Sequence, residues 1–286
     1  MANLCPGYIG MLEVDSTLIR CTDFNVNPSQ DFLFYDHVIG LNDTVPTDNS
    51  TKGEEVGAIQ TQKRISRPST ISIGGGFSFP ATGSQGSNNF EKLFEHAKLG
   101  DYFDLDFQYH RGSDQTARRF IDCRVNQFTF SITAGDILSI SVDVLSKNME
   151  ESGGVTNYIE AEKMITWDKV TVSAGGVTSD SGIQGLEFSI NNNLKNIYTV
   201  DPEPDNKFLP KDLRVGMQEV EGNISVYNIP GKSFITTITG ITEISVAAPG
   251  WSTPINSILK PQEVAGTLGP IISSVPFVGV DKAFGN

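Results

Sequence analysis

The chain has 286 residues, 38% of them hydrophobic and 19% charged, with a formal net charge of −13. So acidic a balance excludes tight binding to nucleic acid, which needs a basic surface to displace counterions, although a negative wall lets phosphate slide past. The length suits one large β domain or two small ones, and the 28 glycines among abundant Ser, Thr and Asn favour a turn-rich β protein over a helical bundle.

The N-terminus, Met1-Ala2-Asn3-Leu4-Cys5-Pro6, lacks a basic start and an apolar core. No signal peptide is expected, and the product is expected to be made and used in a cytoplasm. Residues 11–39 read as two strands. Leu12, Val14 and Leu18 open the first; Phe24, Val26, Phe32, Phe34 and Val38 follow, with Asn27-Pro28-Ser29-Gln30 as the turn. Residues 40–67 form a polar tract holding Asp43, Asp48, Glu54 and Glu55. With so little to bury, no regular structure is predicted there.

Order returns at Thr70-Ile71-Ser72-Ile73. The following Gly74-Gly75-Gly76 predicts a bulge or a close backbone approach. One helix is predicted, over about 89–99. Phe90, Leu93, Phe94 and Ala97 fall at i, i+3, i+4 and i+7 and make one apolar stripe. Asn88 stands at the cap with Glu91 three residues on, and Gly100 is the stop. Lys92, Glu95, Lys98 and His96 are placed off the stripe, on a solvated face.

Strands follow at 102–110 and 119–133. The second changes apolar parity between Val125 and Phe128, which predicts a bulge or a change of partner. Thr133-Ala134-Gly135-Asp136 reads as a tight turn. Leu138, Ile140, Val142 and Val144 then alternate with Ser139, Ser141 and Asp143, giving one packed and one wet face.

The polar stretch 147–157, with Gly153-Gly154, is the best domain boundary; it divides a β unit over 1–150 from a second over 158–286. The second unit opens with a strand at 167–172 and a small-residue turn. Two alternating phrases follow. One is Gly185-Leu186-Glu187-Phe188-Ser189-Ile190-Asn191-Asn192-Asn193-Leu194, and the other is Val215-Gly216-Met217-Gln218-Glu219-Val220-Glu221-Gly222-Asn223-Ile224-Ser225-Val226-Tyr227. An Asn-rich corner ends the first, and a Pro-rich acidic loop separates them. Residues 234–246 read as another hairpin, and the Pro- and Gly-rich stretch 247–286 ends in a strand at 275–280. Strand, turn, long strand, acidic loop and strand recur in both halves, so the units read as a divergent duplication; the helix has no counterpart in the second.

Groups for chemistry are sparse. His37, His96 and His110 have no His or Cys at ligand spacing, and Cys5, Cys21 and Cys123 form no CxxC pair. Neither a metal site nor a disulfide framework is expected, and Cys123 reads as a small core residue. No GxSxG elbow occurs, and the triple glycine leads to a strand, not to the helix N-terminus a phosphate cradle needs. Asp104 and Asp106 share one strand face and read as a wet face, not a catalytic pair. Asp201-Pro202-Glu203-Pro204-Asp205-Asn206 lacks the order of a calcium loop. Trp167, Tyr198, Tyr227 and Trp251 are dispersed and read as core. No stretch approaches the ~20 apolar residues of a membrane span. No catalytic, cofactor-binding or metal residues are expected, and no enzyme.

The two phrases of the second half resemble strands of the tail tube (major tail) proteins of long-tailed bacteriophages. Leu18-Ile19-Arg20-Cys21-Thr22-Asp23-Phe24-Asn25-Val26-Asn27 resembles that family's opening strand, and the helix falls where the family places its own. The resemblance implies a mainly β fold: a two-sheet β-sandwich or barrel of tail-tube type with one flanking helix. It implies self-association into hexameric rings, or pseudo-hexameric trimers if the halves are duplicated. The rings stack into a hollow tube through which DNA travels without specific binding. Tape-measure, tail-terminator and baseplate proteins are the implied partners, with a sheath if the tail is contractile. Residues 125–133 with 137–144, and 186–191 with 219–227, become candidate lumen strands. Asp143, Glu187, Ser189, Glu219, Glu221 and Asn223 become candidate lumen-facing residues. The polar tract matches the family's inter-ring loop, with Asp43, Asp48, Glu54, Glu55, Lys63 and Arg64 as candidates. Two other readings share the β pattern: a baseplate or tail-tip ring component, and a β-sandwich carbohydrate-binding or adhesion module. The last predicts an exposed aromatic cluster or a calcium site, and the sequence offers neither.

Overall fold

The computed structural model describes residues 9–38, 62–84, 87–111, 114–151, 163–174, 177–178, 182–199, 208–227, 240–260, 272–280 and 283–284. The first two strands, β1 (Ile9–Val14) and β2 (Thr17–Cys21), form a hairpin in which Val14 faces Thr17. Asp15 and Ser16 both have positive φ, 47° and 65°, as a two-residue primed turn requires. The chain therefore turns here and not at Asn27-Pro28-Ser29-Gln30. Those four residues begin the long strand β4 (Asn27–Val38), which follows a short β3 (Asp23–Phe24). Both strands pair with β5 (Gln62–Pro80).

The β5 strand takes in Lys63 and Arg64, whose backbones pair with His37 and Asp36. A two-strand ladder is held by backbone hydrogen bonds, so it needs no apolar run to form, and the polar tract ends earlier than its composition implies. Opposite Asn25 and Val26, Gly75 has φ 145°, and a Cβ on it would collide with the Asn25 carbonyl oxygen. The triple glycine is thus a close backbone approach, as predicted.

A small ladder, β6 (Gly83–Ser84) with β7 (Ser87–Asn88), leads into α1 (Glu91–Leu99). Phe90, Leu93, Phe94 and Ala97 are all buried, so the stripe faces the core. Gly100 ends the helix with φ 68° and its N–H bonded to the His96 carbonyl. The cap differs from expectation. Phe90 holds the N-cap position without a side-chain bond, because Asn88 lies in β7. The neighbouring Asn89 ties the approach down instead: its Oδ1 accepts from the Thr82 amide (2.9 Å), and its Nδ2 donates to the Pro80 carbonyl (3.1 Å). His96 is no solvated side chain either. Its Nε2 lies 2.8 Å from Asp15 Oδ2 and its ring stacks on Phe103 at 4.6 Å.

Three long strands follow: β8 (Phe103–Arg111), β9 (Asp114–Thr133) and β10 (Ser139–Glu151). Asp143 faces Gln127 but Val144 faces Val125, so Asn126 bulges out where the parity changes. The bulge splits β9 into two working halves. Its N-terminal half pairs with β8, and its C-terminal half is free to pair with a strand from the far end of the chain.

That strand lies past a 3-10 turn at Trp167–Lys169, where a strand was expected, and past β11 (Thr171–Ala174) and β12 (Val177–Thr178). It is β13 (Ile183–Asn191), antiparallel to β9 with Phe188 opposite Phe130. A separate two-stranded sheet, β14 (Lys195–Ile197) with β15 (Asp212–Arg214), precedes β16 (Glu219–Tyr227). A hairpin follows, β17 (Thr242–Ala248) with β18 (Trp251–Leu259); residues 234–239 of the predicted 234–246 lie outside the described residues, and β19 (Ile272–Gly279) closes the sequence of elements.

The protein is thus mainly β with one flanking helix among the described residues. One sheet runs β12-β11-β17-β18-β19-β16-β13-β9-β10-β5-β3, with β1, β2, β4 and β8 branching off. It is strongly curled. In a flat sheet β18 and β9 would stand four strand spacings apart, about 19 Å; the Trp251 and Phe130 rings are 5.7 Å apart. At the other end Phe24 on β3 stacks on Phe107 of β8 at 3.7 Å. One continuous apolar core fills the fold, from Leu12 and Ile19 to Val275 and Phe277.

Cys123 sits in that core with no exposed surface, and burial pushes its thiol pKa up to about 12. Only the thiolate reacts. At pH 8 native protein is expected to leave Cys123 unlabelled by iodoacetamide, and urea-unfolded protein to label it fully. Peptide mass spectrometry reads the difference.

Candidate functional site

Strands β16, β13, β9 and β10 lie side by side at the centre of the sheet. Their inward residues, among them Val220, Ile224, Phe188, Ile190, Phe128, Phe130, Ile140 and Val142, are buried. Because side chains alternate across a strand, the intervening residues share the outer face. The register aligns them in three rows. Asn223, Glu187, Ser131 and Ser139 form the first; Glu221, Ser189, Thr129 and Ser141 the second; Glu219, Asn191, Gln127 and Asp143 the third. The face measures about 14 by 13 Å from standard strand spacings.

All six candidate lumen-facing residues, Asp143, Glu187, Ser189, Glu219, Glu221 and Asn223, stand in these rows. The sequence reading selected two separate strand pairs. The β9–β13 ladder, which joins them into one face, carries no local signal. The rows contain four carboxylates and no Lys or Arg. Asp143, Glu187, Glu219 and Glu221 are exposed, and Asn223 Oδ1 accepts from Ser274 Oγ at 2.7 Å. On the β5 side the face continues through Ser78, which lies opposite Ser141 and, on its other edge, Asp23. An array of ionised and hydroxyl groups on a rigid sheet presents a hydrated, negative wall.

Below the Asn126 bulge the same side of the sheet is covered. The small β14–β15 sheet is held there by Tyr102, whose ring lies between the Arg124 guanidinium (3.8 Å) and the Lys147 ammonium (4.0 Å). The Tyr102 hydroxyl donates to Asp212, and Arg124 donates to the Leu213 carbonyl at 2.7 Å. The Tyr102 hydrogen bond holds the Asp212 carboxyl below the usual range.

The helix end is fixed by the Asn corner. Asn192 is wholly buried, and its Nδ2 donates to the carbonyls of Ala97 (2.8 Å) and Val125 (2.9 Å). Gln218 Nε2 donates to Asn192 Oδ1 (2.8 Å) and to the carbonyls of Ala97 and Lys98 (3.1 Å each).

Other groups singled out by sequence are spoken for structurally. Arg119 bonds Asp104 at 2.7 Å. Burial raises the Asp104 pKa, but the Arg119 hydrogen bond and charge and the Asp122 amide outweigh it and leave the carboxyl below its ordinary value. Such a group is a poor general acid at neutral pH. Among the described residues no three His, Cys, Asp or Glu side chains gather as a metal site would need. Trp251 is core as expected, but Trp167 is half exposed. Asp43, Asp48, Glu54 and Glu55, and the acidic segment 201–206, lie outside the described residues.

No curated protein matches the chain. A family model described as phage tail tube protein matches residues 22–279, a span that runs from the residue before β3 to the end of β19. The curled antiparallel sheet, its one flanking helix and this match over most of the length establish that the chain belongs to the phage tail tube protein family.

Proposed function

We propose that copies of this chain form rings, that the rings stack into the hollow tube of a phage tail, and that the acidic sheet face lines its bore. The observation that carries this reading is the face itself, with four carboxylates, eight uncharged polar residues and no cation in three aligned rows. A bore that conducts DNA must not hold it. Each Lys or Arg on its wall would exchange counterions with phosphate and retard passage. The β units over 1–150 and 158–286 both contribute strands to the face, and the single helix among the described residues supports six copies per ring. Tape-measure, terminator and baseplate proteins would meet the tube at its ends, and a sheath would surround it in a contractile tail. The polar tract with Asp43, Asp48, Glu54 and Glu55 would reach the adjacent ring. The particle would assemble in the host cytoplasm.

Negative-stain microscopy of purified protein tests the assembly; long hollow tubes of uniform width are expected, and persistent monomers would refute it. The triple variant Glu187→Lys, Glu219→Lys, Glu221→Lys tests the bore. These side chains are at the surface, so each change is expected to move stability by no more than about 0.5 kcal/mol. Tubes should still form. Phage carrying the variant should eject DNA at least tenfold more slowly at low salt, with partial recovery at high salt. Wild-type ejection rates would refute the lining role.

A further inference from the structure

The central strands end in two unlike surfaces. The part of β13 from Gly185 to Asn191 spans about 20 Å at strand rise. At its Asn191 end stands Met217, 77% exposed, its carbonyl bonded by Asn193 Nδ2. Leu99, 57% exposed, lies on the same end, one residue before the Gly100 that packs on Val215. Lys195 and Arg214 are exposed there and directly opposite one another across the β14–β15 ladder. Like charges so placed repel, and among the described residues neither is in an ion pair.

At the Gly185 end is a cleft of about 290 Å³. Ile132, Val170, Val172 and Ile183 line it, with Trp167 and Asp168 on its wall. The Trp167 indole is 50% exposed. The neighbouring Asp136 is exposed and in no ion pair among the described residues. The Trp167 backbone N–H donates to the Asp136 carbonyl at 3.0 Å and so holds the two residues side by side. The cleft is at the bottom of the ~300–1,000 Å³ range of small-molecule sites, and Asp168, Thr171 and Gln184 stand beside the apolar residues in its lining. It suits one long, flexible side chain.

We infer that Met217 of one copy inserts into the Trp167 cleft of the next copy along the tube, with Lys195 and Arg214 meeting Asp136; Asp168 already has its own cation, Lys169 at 3.1 Å. This rests on the tube reading above. The two surfaces are complementary in kind: an unbranched thioether against an indole, and an unbalanced cationic pair against the Asp136 carboxylate. They sit at opposite ends of the same strands. A contact between unlike patches at opposite ends is heterologous, and where successive copies are displaced along the strands it builds a filament. A small-molecule site would need neither the exposed Met217 nor the opposed cations.

Disulfide capture and a polarity change test the contact on the full chain. In the double variant Met217→Cys, Ala134→Cys the new thiols are about 20 Å apart within one chain, too far to bridge. Oxidation of assembled tubes should therefore give a ladder of covalent multimers on non-reducing gels. Met217→Glu should raise the protein concentration needed for polymerisation at least tenfold while leaving the melting temperature of the free subunit unchanged. Arg214→Asp should weaken assembly, and Arg214→Asp with Asp136→Arg should restore it. If wild-type tubes form, but Met217→Glu polymerises like wild type and no ladder appears, the contact is wrong and the tube reading stands. If wild-type protein forms no tubes, both fall together.

Discussion

Phe130→Ala is expected to cost about 3–5 kcal/mol of stability, the range for emptying a fully buried aromatic site. Phe130 has no exposed surface. Its ring stacks on Phe188 at 5.1 Å and on Trp251 at 5.7 Å, and meets Phe90 edge-on at 6.2 Å. Those partners belong to β13, β18 and the start of α1. One side chain thus joins the first half of the chain to the second and both to the helix. The cavity cannot collapse easily, because each neighbour is held by its own strand or helix, and a site that cannot relax lies at the costly end of the range. Urea denaturation monitored by tryptophan fluorescence should show the midpoint falling accordingly. Phe130→Leu, which leaves most of the volume, should lose less than half as much. Because the polar face is the reverse side of the same strands, Phe130→Ala should also abolish tube formation near physiological temperature.

The physics that makes Phe130 central also explains what the sequence could show. Alternation is local, so the buried and exposed parities of residues 138–144, of β13 and of β16 were legible, and with them every candidate residue of the polar face. The helix was legible from Phe90, Leu93, Phe94 and Ala97, and the bulge from the parity change around Asn126. What escaped was set by partners distant in sequence. Pro28 looked like a turn residue, yet it lies on β4, which among the described residues pairs only through β5 and so has an edge there that tolerates proline. Pro254 likewise masked β18. Among the described residues β19 pairs with residues 257–259 of that strand, so there Pro254 interrupts no second ladder. The real turn, Asp15-Ser16, has no glycine to announce it. Trp167 kept its apolar identity in sequence but emerged on a 3-10 turn at the rim of a cleft. No local pattern says that β9 will pair with β13, and that ladder turns two strand pairs into one face.

Asn192→Ala is expected to cost about 2–4 kcal/mol, most of it from acceptors left buried without a donor. The side chain is wholly enclosed and uses both ends of its amide. Removing it strips the Val125 carbonyl beside the bulge of its side-chain donor. It also leaves Gln218 to serve the Ala97 and Lys98 carbonyls alone, at 3.1 Å each. The last carbonyls of a helix have no partners within it, so these bonds act as a C-terminal cap supplied by the second half of the chain. Asn192→Asp separates charge from shape. It keeps the volume and the acceptor toward Gln218, but it puts a second acceptor, and a buried negative charge, against two carbonyl oxygens. It should therefore be at least as damaging as alanine at pH 7 and recover partly as the pH falls and the carboxyl takes up a proton, which can donate to one of them. Hydrogen exchange would locate the damage. Amides of residues 94–100 and around Asn126 should lose protection first, while those of β17, which lies between β11 and β18, should keep theirs until global unfolding. Uniform loss of protection would mean that Asn192 fills space and does not cap the helix.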